Sequence, residues 1–490
     1  MTILSICAHG FIYGPILVVL IYNLFNHEFA RKHFFWFAGT GAVWQILAAI
    51  GGFTALNQNG QTSYAFGAFW DIRLAGAAFF ELNATRFLLL LIVGLVALIS
   101  VLVAHQTVDF NRSSYTNLLM ILVLGMNGML LVTDLFSLYV FLEVTGLCCF
   151  IMIAMFRSRA DLEGSFKYLI LSELSGIFIL TAIAFLMMKT GSLRYADLAG
   201  LGQRISAGSG QLEDLLVYAA LILLISGFAI KTGVVPFHSW LPDAYQSADT
   251  AVSILLSGAV NKVAGVYGLM IVMQLFGDVA PVGPSLAAVG IISIIIGALL
   301  AVRQPQYKRV VAYSSVSQMG YILLALSTGT TLGLVAALAH ILSHTAFKST
   351  LFTNAAALQE QTGTLELKDL GGLENQMPVT AFTSIIAFLS TAGIPPTAGF
   401  WSKILIILAL WQAGSPVLAG VALVAGILSS AYLIRLQRTV FFGQTRPELA
   451  KVREVRGSVL TAEVLLTVIT LGLGLLYPYI LLLLHAGGIL

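Results

Sequence analysis

The sequence predicts an all-α polytopic membrane protein of about fourteen transmembrane helices, with two inverted five-helix repeats and broken helices seven and twelve. Three observations predict the class: of 490 residues 58% are hydrophobic, only 10% are charged, and the mean hydropathy is +0.93. Soluble domains carry about 25% charged residues, so the charges here must be confined to loops, with long uncharged stretches between them. That excludes nucleic-acid binders and ordinary water-soluble enzymes. The net charge of +3 forms no basic block and implies no polyanionic partner. Cys7, Cys148 and Cys149 stand in apolar runs without CxxC spacing, which argues against a disulfide framework, a zinc site or an iron–sulfur cluster in this chain. The first apolar run has no basic flank before it and no small-residue cleavage site after it, and reads as a retained span.

A spanning helix needs about 20 mostly apolar residues. That ruler predicts spans over 3–24, 34–56, 84–105, 115–132, 135–156, 166–188, 215–238, 251–276, 282–300, 310–327, 332–357, 379–412, 416–436 and 459–484. The stretch 379–412 is too long for one straight helix, so a break inside it is expected. Of the 25 Lys and Arg, fifteen fall in odd-numbered loops. Five, Arg73, Arg86, Lys189, Arg194 and Arg204, fall in even-numbered loops and their edges. By the positive-inside rule the odd loops face the cytoplasm and both termini face the other side.

The remaining five cations are all lysines within spans: Lys167, Lys231, Lys262, Lys348 and Lys403. Arginine cannot lose its proton in a protein, whereas a buried lysine can, so this selection points to proton exchange rather than fixed pairing. Lys167 stands near a helix end, within reach of the interface by snorkelling. The other four are deeper.

Two spans carry prolines where a helix should be continuous. In KTGVVPFHSWLP, Pro236 would free the carbonyl of Thr232 beside Lys231. In STAGIPPTAGFWSK, Pro395 and Pro396 would free those of Thr391 and Ala392, one or two turns before Lys403. Proline alone only kinks a membrane helix, but two breaks at matched positions, each beside a lysine, are the pattern of a midplane ion site in repeat-built transporters. Grouping spans four to eight and nine to thirteen puts each broken helix fourth of five, and an odd number of spans makes the units inverted. The organisation expected is an N-terminal three-helix region (1–114), a first repeat forming one half-channel (115–276), a second forming another (282–436), and a loop with the last helix (437–490).

Glu143 lies in the middle of span five, LFSLYVFLEVTGLCCFIMIAMF, where a carboxylate costs several kcal/mol unless paired. Lys231 is the natural partner. Lys262, in ILLSGAVNKVAGVYG, is flanked by Gly258, Ala259, Ala264 and Gly265, which allow close helix approach and room for water. In span eleven His340, His344 and Lys348 stand at i, i+4 and i+8, each drifting about 40° from the last, and so line one stripe roughly 12 Å long, suited to proton hopping. Two histidines four apart also suit a metal, but ILS between them supplies no glutamate of the HExxH pattern, so no metal site is expected. Glu173 and Asp134 are further members that would feed the first half. Glu463, near the start of span fourteen, reads as interfacial. Separating Glu143 from Lys231 would release a proton toward Lys262, turning charge separation into proton transfer.

FLEVTGLC, KTGVVPFHSWLPDAY, the lysine of NKVAGVYG, YKRVVAYSSVSQMGYI, HILSHTAFKSTLF and AGIPPTAGFWSK occur in that order. Together they resemble the antiporter-like proton-channel subunits of respiratory complex I (NADH:quinone oxidoreductase), a family shared with membrane-bound hydrogenases and Mrp-type cation/proton antiporters. The resemblance covers spans four to thirteen. It implies fourteen helices, two inverted five-helix repeats, broken helices seven and twelve and a central hydrophilic axis. By position it implies that Glu143 and Lys231 are the family's glutamate–lysine pair and Lys262 its helix-eight lysine. His340, His344 and Lys348 match its connecting residues, and Lys403 the exit residue of helix twelve. One complex I paralogue has glutamate at that last position, and the largest has a long lateral helix after span fourteen. This chain matches neither.

The function expected is a proton-translocating membrane subunit of a redox-driven multisubunit complex. Its two half-channels would be joined by the His340, His344 and Lys348 stripe. No GxGxxG cradle, cysteine cluster or haem motif is present, so no cofactor and no catalytic site are expected in this chain. Iron–sulfur clusters and flavin or nickel–iron are expected in peripheral redox partners, reached through other membrane subunits of an energy-transducing membrane. The alternative is a subunit of an Mrp-type sodium/proton antiporter with no redox partner. An intramembrane enzyme using HSWLPD and the histidines would need a catalytic constellation that these residues do not assemble.

Overall fold

In the computed structural model the structure describes residues 3–25, 27–60, 63–66, 80–108, 111–206 and 215–486. The even-loop cation Arg73 and the last four residues lie outside the described residues. The N-terminal helices are α1 (Ile3–Leu24), α2 (His27–Gln58) and α3 (Ala84–Thr107). Next come α4 (Arg112–Leu131), α5 (Leu135–Ile153), α6 (Arg159–Thr190), the short α7 (Tyr195–Ser206), α8 (Leu215–Thr232) and α9 (Trp240–Ser247). One long helix then runs as α10 (Thr250–Leu255), a π-helical segment Leu256–Val266 and α11 (Tyr267–Phe276). The remainder comprises α12 (Val282–Val302), α13 (Tyr307–Leu326), α14 (Thr331–Thr362), α15 (Pro378–Ala392), α16 (Ala398–Gln412), α17 (Pro416–Val440) and α18 (Ser458–Ala486).

Among the described residues, eleven helices are long and apolar enough to cross a membrane, and α15 and α16 are shorter apolar helices. α13 and α14 are equally long but carry the densest buried polar side chains, among them Ser314, Gln318, His340, His344, Lys348 and Asn354. The arrangement inverts that of a soluble protein. Leu17, Trp36, Phe166, Ile177, Leu299, Trp411, Ile427 and Val468 point outward, while the α10–π–α11 helix is enclosed on all sides. Lipid is as apolar as leucine, so apolar residues lose nothing by facing it, and small residues let the inner helices close up. Gly290 on α12 and Gly320 on α13 bring those two backbones together so tightly that a Cβ on Gly320 would lie 2.5 Å from the Gly290 carbonyl.

Polar caps fix several helix starts: Asn83 accepts from the Arg86 N–H, Asp134 from Ser137, Thr330 from Gly333, and Ser158 with Asp161 forms a capping box on α6. The loop ends segregate into two groups. On one side the backbone of Tyr307 bonds Leu365, Gln106 bonds Arg456, and Asp243 joins Lys167 to Arg309. On the other Leu135 bonds Leu193, and Arg86 pairs with Glu81 at 2.9 Å. Odd-numbered loops thus gather at one end and even-numbered loops at the other.

One expectation needs correction, that of Glu463, and three features go beyond the sequence reading. The even-loop end carries a two-stranded antiparallel hairpin, β1 (Ser63–Phe66) with β2 (Phe80–Asn83), and the amphipathic α7; single-sequence patterning over so short a stretch showed neither. Span eight is not a plain α-helix but π-helical through Leu256–Val266. Asp134 is the N-cap of α5, one carboxylate oxygen accepting from the Ser137 N–H. Glu463 is fully buried and not interfacial, because α18 turns it inward onto α14 and α15. Lys167 lies at the odd-loop end, 43% exposed in its side chain and paired with Glu163 and Asp243, which fits the snorkelling placement.

Candidate functional site

The two broken helices end in the same way. Gly233 (φ 75°) follows α8 and Gly393 (φ 83°) follows α15. In each, the glycine N–H bonds the carbonyl three residues back, Ile230 or Ser390, and the next N–H, of Val234 or Ile394, bonds the carbonyl five back, Ala229 or Leu389. This is the Schellman stop, in which the positive φ favours glycine and a following proline blocks re-entry to the helix. The glycine, not the proline, therefore ends each helix, ahead of Pro236 at the first break and ahead of Pro395 and Pro396 at the second. TG and AG ahead of the prolines are the legible signal.

At the second break Lys403 reaches back from α16 and donates to the carbonyls of Thr391 at 2.8 Å and Ala392 at 3.4 Å, the last of α15. These are the carbonyls the sequence marks as freed. An ammonium at a helix C-terminus also gains from the helix dipole. Its Nζ lies 4.7 Å above the Tyr321 ring. At the first break the lysine precedes the stop, and Lys231 donates to Ser172 Oγ on α6 at 2.6 Å. The Ile230 carbonyl, already bonded by the Gly233 N–H, also accepts from the indole N–H of Trp240, 2.9 Å away.

Glu143 stands beside Lys231 without a direct ion pair between them among the described residues. Both face glycines: a Cβ on Gly146 would lie 3.3 Å from Lys231 Nζ, and one on Gly176 would lie 2.6 Å from Glu143 Oε1. Glu143 Oε1 is buried with no hydrogen-bond partner. Its neighbour Glu173 is exposed on the outer face of α6. Ser172, the hydroxyl that Lys231 bonds, gives no sequence signal, since serine is common in membrane helices.

Lys262 is fully buried in the π-helical segment, with its Nζ turned back onto the Ser257 carbonyl. A π-helical turn widens the backbone and is found mostly at functional positions. Gly265 lets this segment press on the end of α8, a Cβ there lying 2.4 Å from the Thr232 nitrogen, so Lys262 is locked to the first break. Thr345 on α14 donates to the Gly258 carbonyl at 2.8 Å and joins it to the histidine helix. Lys262 lies within electrostatic reach of His340, His344 and Lys348.

On α14 the rings of His340 and His344 lie 6.3 Å apart, on one stripe with Lys348. His340 Nδ1 is 3.0 Å from Ser402 Oγ, the residue before Lys403, which links the stripe to the second break. Lys348 turns toward α13 and donates to the Val311 carbonyl at 2.7 Å and to Ser314 Oγ. Around these groups His340 Nε2, both nitrogens of His344, both amide atoms of Asn261, Ser257 Oγ and Ser349 Oγ are buried without a protein partner. Buried polar atoms must bond to something, and water is the partner a polar interior admits. The structure thus gathers Lys262, His344, His340 and Lys348, joins His340 to the second break through Ser402, and packs the Lys262 segment on the end of α8 next to Lys231. Among the described residues no group of three or more His, Cys, Asp and Glu is placed to hold a metal.

A helical membrane body with two broken helices and buried lysines and histidines is that of the antiporter-like class of membrane subunit. The chain belongs to the NADH:quinone oxidoreductase/Mrp antiporter transmembrane family, whose pattern matches residues 132–429. It is 33% identical over 374 residues to NADH-quinone oxidoreductase subunit N of Desulforudis audaxviator, covering 74% of this chain and 73% of that one. It is 30% identical over 466 residues to the D-type Na(+)/H(+) antiporter subunit of Alkalihalophilus pseudofirmus, covering 94% and 92%. In fold it matches a chain of the Mrp complex of a Dietzia species with a TM-score of 0.86 at 24% identity, over 100% of this chain and 97% of that one. A chain of the membrane-bound sulfane sulfur reductase, an archaeal respiratory membrane complex, matches with a TM-score of 0.82 at 28% identity, over 95% and 75%. The protein is an integral membrane, antiporter-like subunit.

Proposed function

We propose that this chain moves protons across an energy-transducing membrane as one subunit of a redox-driven multisubunit complex of the complex I type. Fourteen spans carry two inverted repeats, 115–276 and 282–436, beside a three-helix region 1–114 and a terminal part 437–490. Odd-numbered loops face the cytoplasm and both termini the opposite side. Each repeat is a half-channel, the first holding Glu143 and Lys231, the second Lys348 and Lys403. Lys262 and the His340–His344 stripe connect them. The observation that carries this reading is the enclosed axis of amines and imidazoles with partnerless polar atoms, which only a water-threaded proton path explains economically.

The driving step is charge separation. When Glu143 and Lys231 part, the Lys231 ammonium loses its counter-charge and its proton passes toward Lys262; when they approach, the lysine reloads. Ser172 holds the amine between the two positions. At the far end, Lys403 parts from the Thr391 and Ala392 carbonyls to discharge through α16.

Partner subunits are supported by Glu173, which stands halfway along α6 and is exposed on its outer face. Hydrocarbon does not accept a carboxylate there, so another protein covers it. Iron–sulfur clusters with flavin or nickel–iron belong to peripheral subunits beyond. The second reading, a subunit of an Mrp-type sodium/proton antiporter, is favoured by the longer match to the Alkalihalophilus antiporter relative, 94% of this chain against 74% for the Desulforudis oxidoreductase relative. Purification of the native complex in mild detergent separates the two. Co-purifying iron–sulfur, flavin or nickel–iron subunits are expected; hydrophobic subunits alone, without redox cofactors, would overturn the redox reading in favour of the antiporter.

A further inference from the structure

Glu463 on α18 is fully buried, yet it touches none of the lysines. Its Oε1 accepts from Asn354 Nδ2 at 2.7 Å, and its Oε2 lies 3.1 Å from Thr380 Oγ1 at the start of α15. The same Thr380 hydroxyl lies 2.7 Å from Oε1 of Glu454, in the loop before α18. Glu454 Oε2 in turn takes the Val379 and Thr380 N–H groups, at 2.6 and 3.3 Å, and caps α15. One hydroxyl has one hydrogen, and Thr380 faces two carboxyl oxygens. The shorter contact takes that hydrogen for Glu454. A proton on Glu463, held as a carboxylic acid, would satisfy the second contact.

The surroundings extend this contact in both directions. Outward, Glu454 lines an open cleft of about 630 Å³ at the odd-loop end with Arg453, Arg456 and Glu360. Inward, Asn354 Oδ1 and Gln437 Oε1 are buried without a hydrogen-bond partner among the described residues. Gln437 is held to Ser384 on α15 at 2.5 Å. Asn354 stands six residues beyond Lys348 on α14, about 9 Å along the helix and about a third of a turn around it, a separation for water to bridge.

We propose that Glu463 is the proton-loading carboxyl of the second half-channel, filled from the odd-loop face through Glu454 and Thr380 and emptied through Asn354 toward Lys348. No bond other than O–H and N–H changes. The proton leaves a water in the cleft, resides on Glu463, and passes by water to the Lys348 amine once that amine has given its own proton onward. The inference rests on the transport reading above and adds to it an inlet and a direction.

Glu463→Gln tests it well. The amide keeps an acceptor for Asn354 and a permanent N–H for Thr380, so it copies the protonated acid in shape but cannot exchange the proton. In the intact complex reconstituted into vesicles, proton uptake from the odd-loop face, followed with a pH-sensitive dye, is expected to fall about 100-fold, the loss usual for removing a proton-transfer group. Thermal stability and subunit composition should be unchanged. Infrared difference spectra between acid and alkaline buffer are expected to lose a protonated-carboxyl band in Glu463→Gln and to keep it in Thr380→Val, which cuts the link to Glu454 and slows uptake. Normal uptake in Glu463→Gln alongside loss in Lys348→Met overturns the proposal, as does an unchanged carboxyl band. Normal uptake in Lys348→Met as well removes the transport reading itself, and the proposal with it.

Discussion

The two broken helices use one backbone device in two ways. α8 and α15 both stop at a glycine with positive φ and the same pair of hydrogen bonds, and a proline follows each. At the first stop the lysine precedes the break and is held by a serine hydroxyl, while Trp240 adds a second hydrogen bond to the Ile230 carbonyl. At the second the lysine follows the break and folds back onto the freed carbonyls themselves. A side-chain hydroxyl holds Lys231, whereas two backbone carbonyls and the Tyr321 ring hold Lys403. The first is built to change its surroundings and the second to offer a constant seat, the division of labour expected of a driven element and an exit.

The largest effects should come from removing the exchangeable amines. Lys403→Ala in the intact complex should abolish proton translocation while the complex still assembles. Translocation that survives would take Lys403 off the path and break the parallel between the two stops. Lys262→Arg is the sharper companion. It preserves charge and approximate length but cannot release a proton, so turnover should fall nearly as far as with Lys262→Met. Full activity of the arginine variant would mean that Lys262 acts by its charge alone.

Next in size are the glycines. Alanine at either stop meets a positive φ costing about 1 kcal/mol or more, so both variants should lower thermal stability of the detergent-solubilised complex. The two should differ in function. A Cβ on Gly393 would lie 2.8 Å from Lys403 Cδ, the middle of a flexible chain, whereas one on Gly233 would meet Leu241 Cδ1 at 2.4 Å, in packed surroundings. Gly393→Ala is therefore expected to displace Lys403 and slow translocation with a small stability loss, and Gly233→Ala to lose more stability. Equal losses in both measurements would show that the breaks are mere structural joints. Ser172→Ala should cost less, about 1 kcal/mol for one hydrogen bond, and should leave Lys231 closer to Glu143, visible as slower turnover at unchanged assembly.

Much of this is legible in the sequence because membranes simplify sequences. Charges inside a span stand out against apolar neighbours, and Lys231, Lys262, Lys348, Lys403, Glu143 and both histidines all stand out that way. The stripe on α14 follows from helical period alone, and the proline positions single out the carbonyls of Thr391 and Ala392 on which Lys403 sits. Hidden are the features set by backbone detail or by neutral groups. The π-helical segment around Lys262 has the composition of any small-residue helix. Ser172, Ser402, Asn261 and Asn354 matter through what they touch across helices. Glu463 misleads because closeness to a span's end says nothing of which way the helix turns; α18 turns it inward.

The smallest effect lies at the odd-loop end, where Asp243 joins Lys167 (2.8 Å) and Arg309 (2.7 Å) outside both broken-helix centres. Burial alone would raise this carboxyl, but hydrogen bonds and charge from Lys167 and Arg309 outweigh it and hold Asp243 below the ordinary carboxylate range. A carboxyl lowered in the folded state adds stability that is present above its unfolded value and lost as pH falls through the folded one. Half-exposed pairs are worth about 1 kcal/mol or less. Asp243→Asn should thus lower the melting temperature slightly at neutral pH, and the gap to the parent should close in acid below the carboxylate range. A gap that persists there would assign the effect to lost packing of α9 against α13. If instead Asp243→Asn slowed translocation while leaving melting unchanged, the odd-loop mouth of the first half would be part of the path, and the contrast between a driven half and a constant one would have to be redrawn around that mouth.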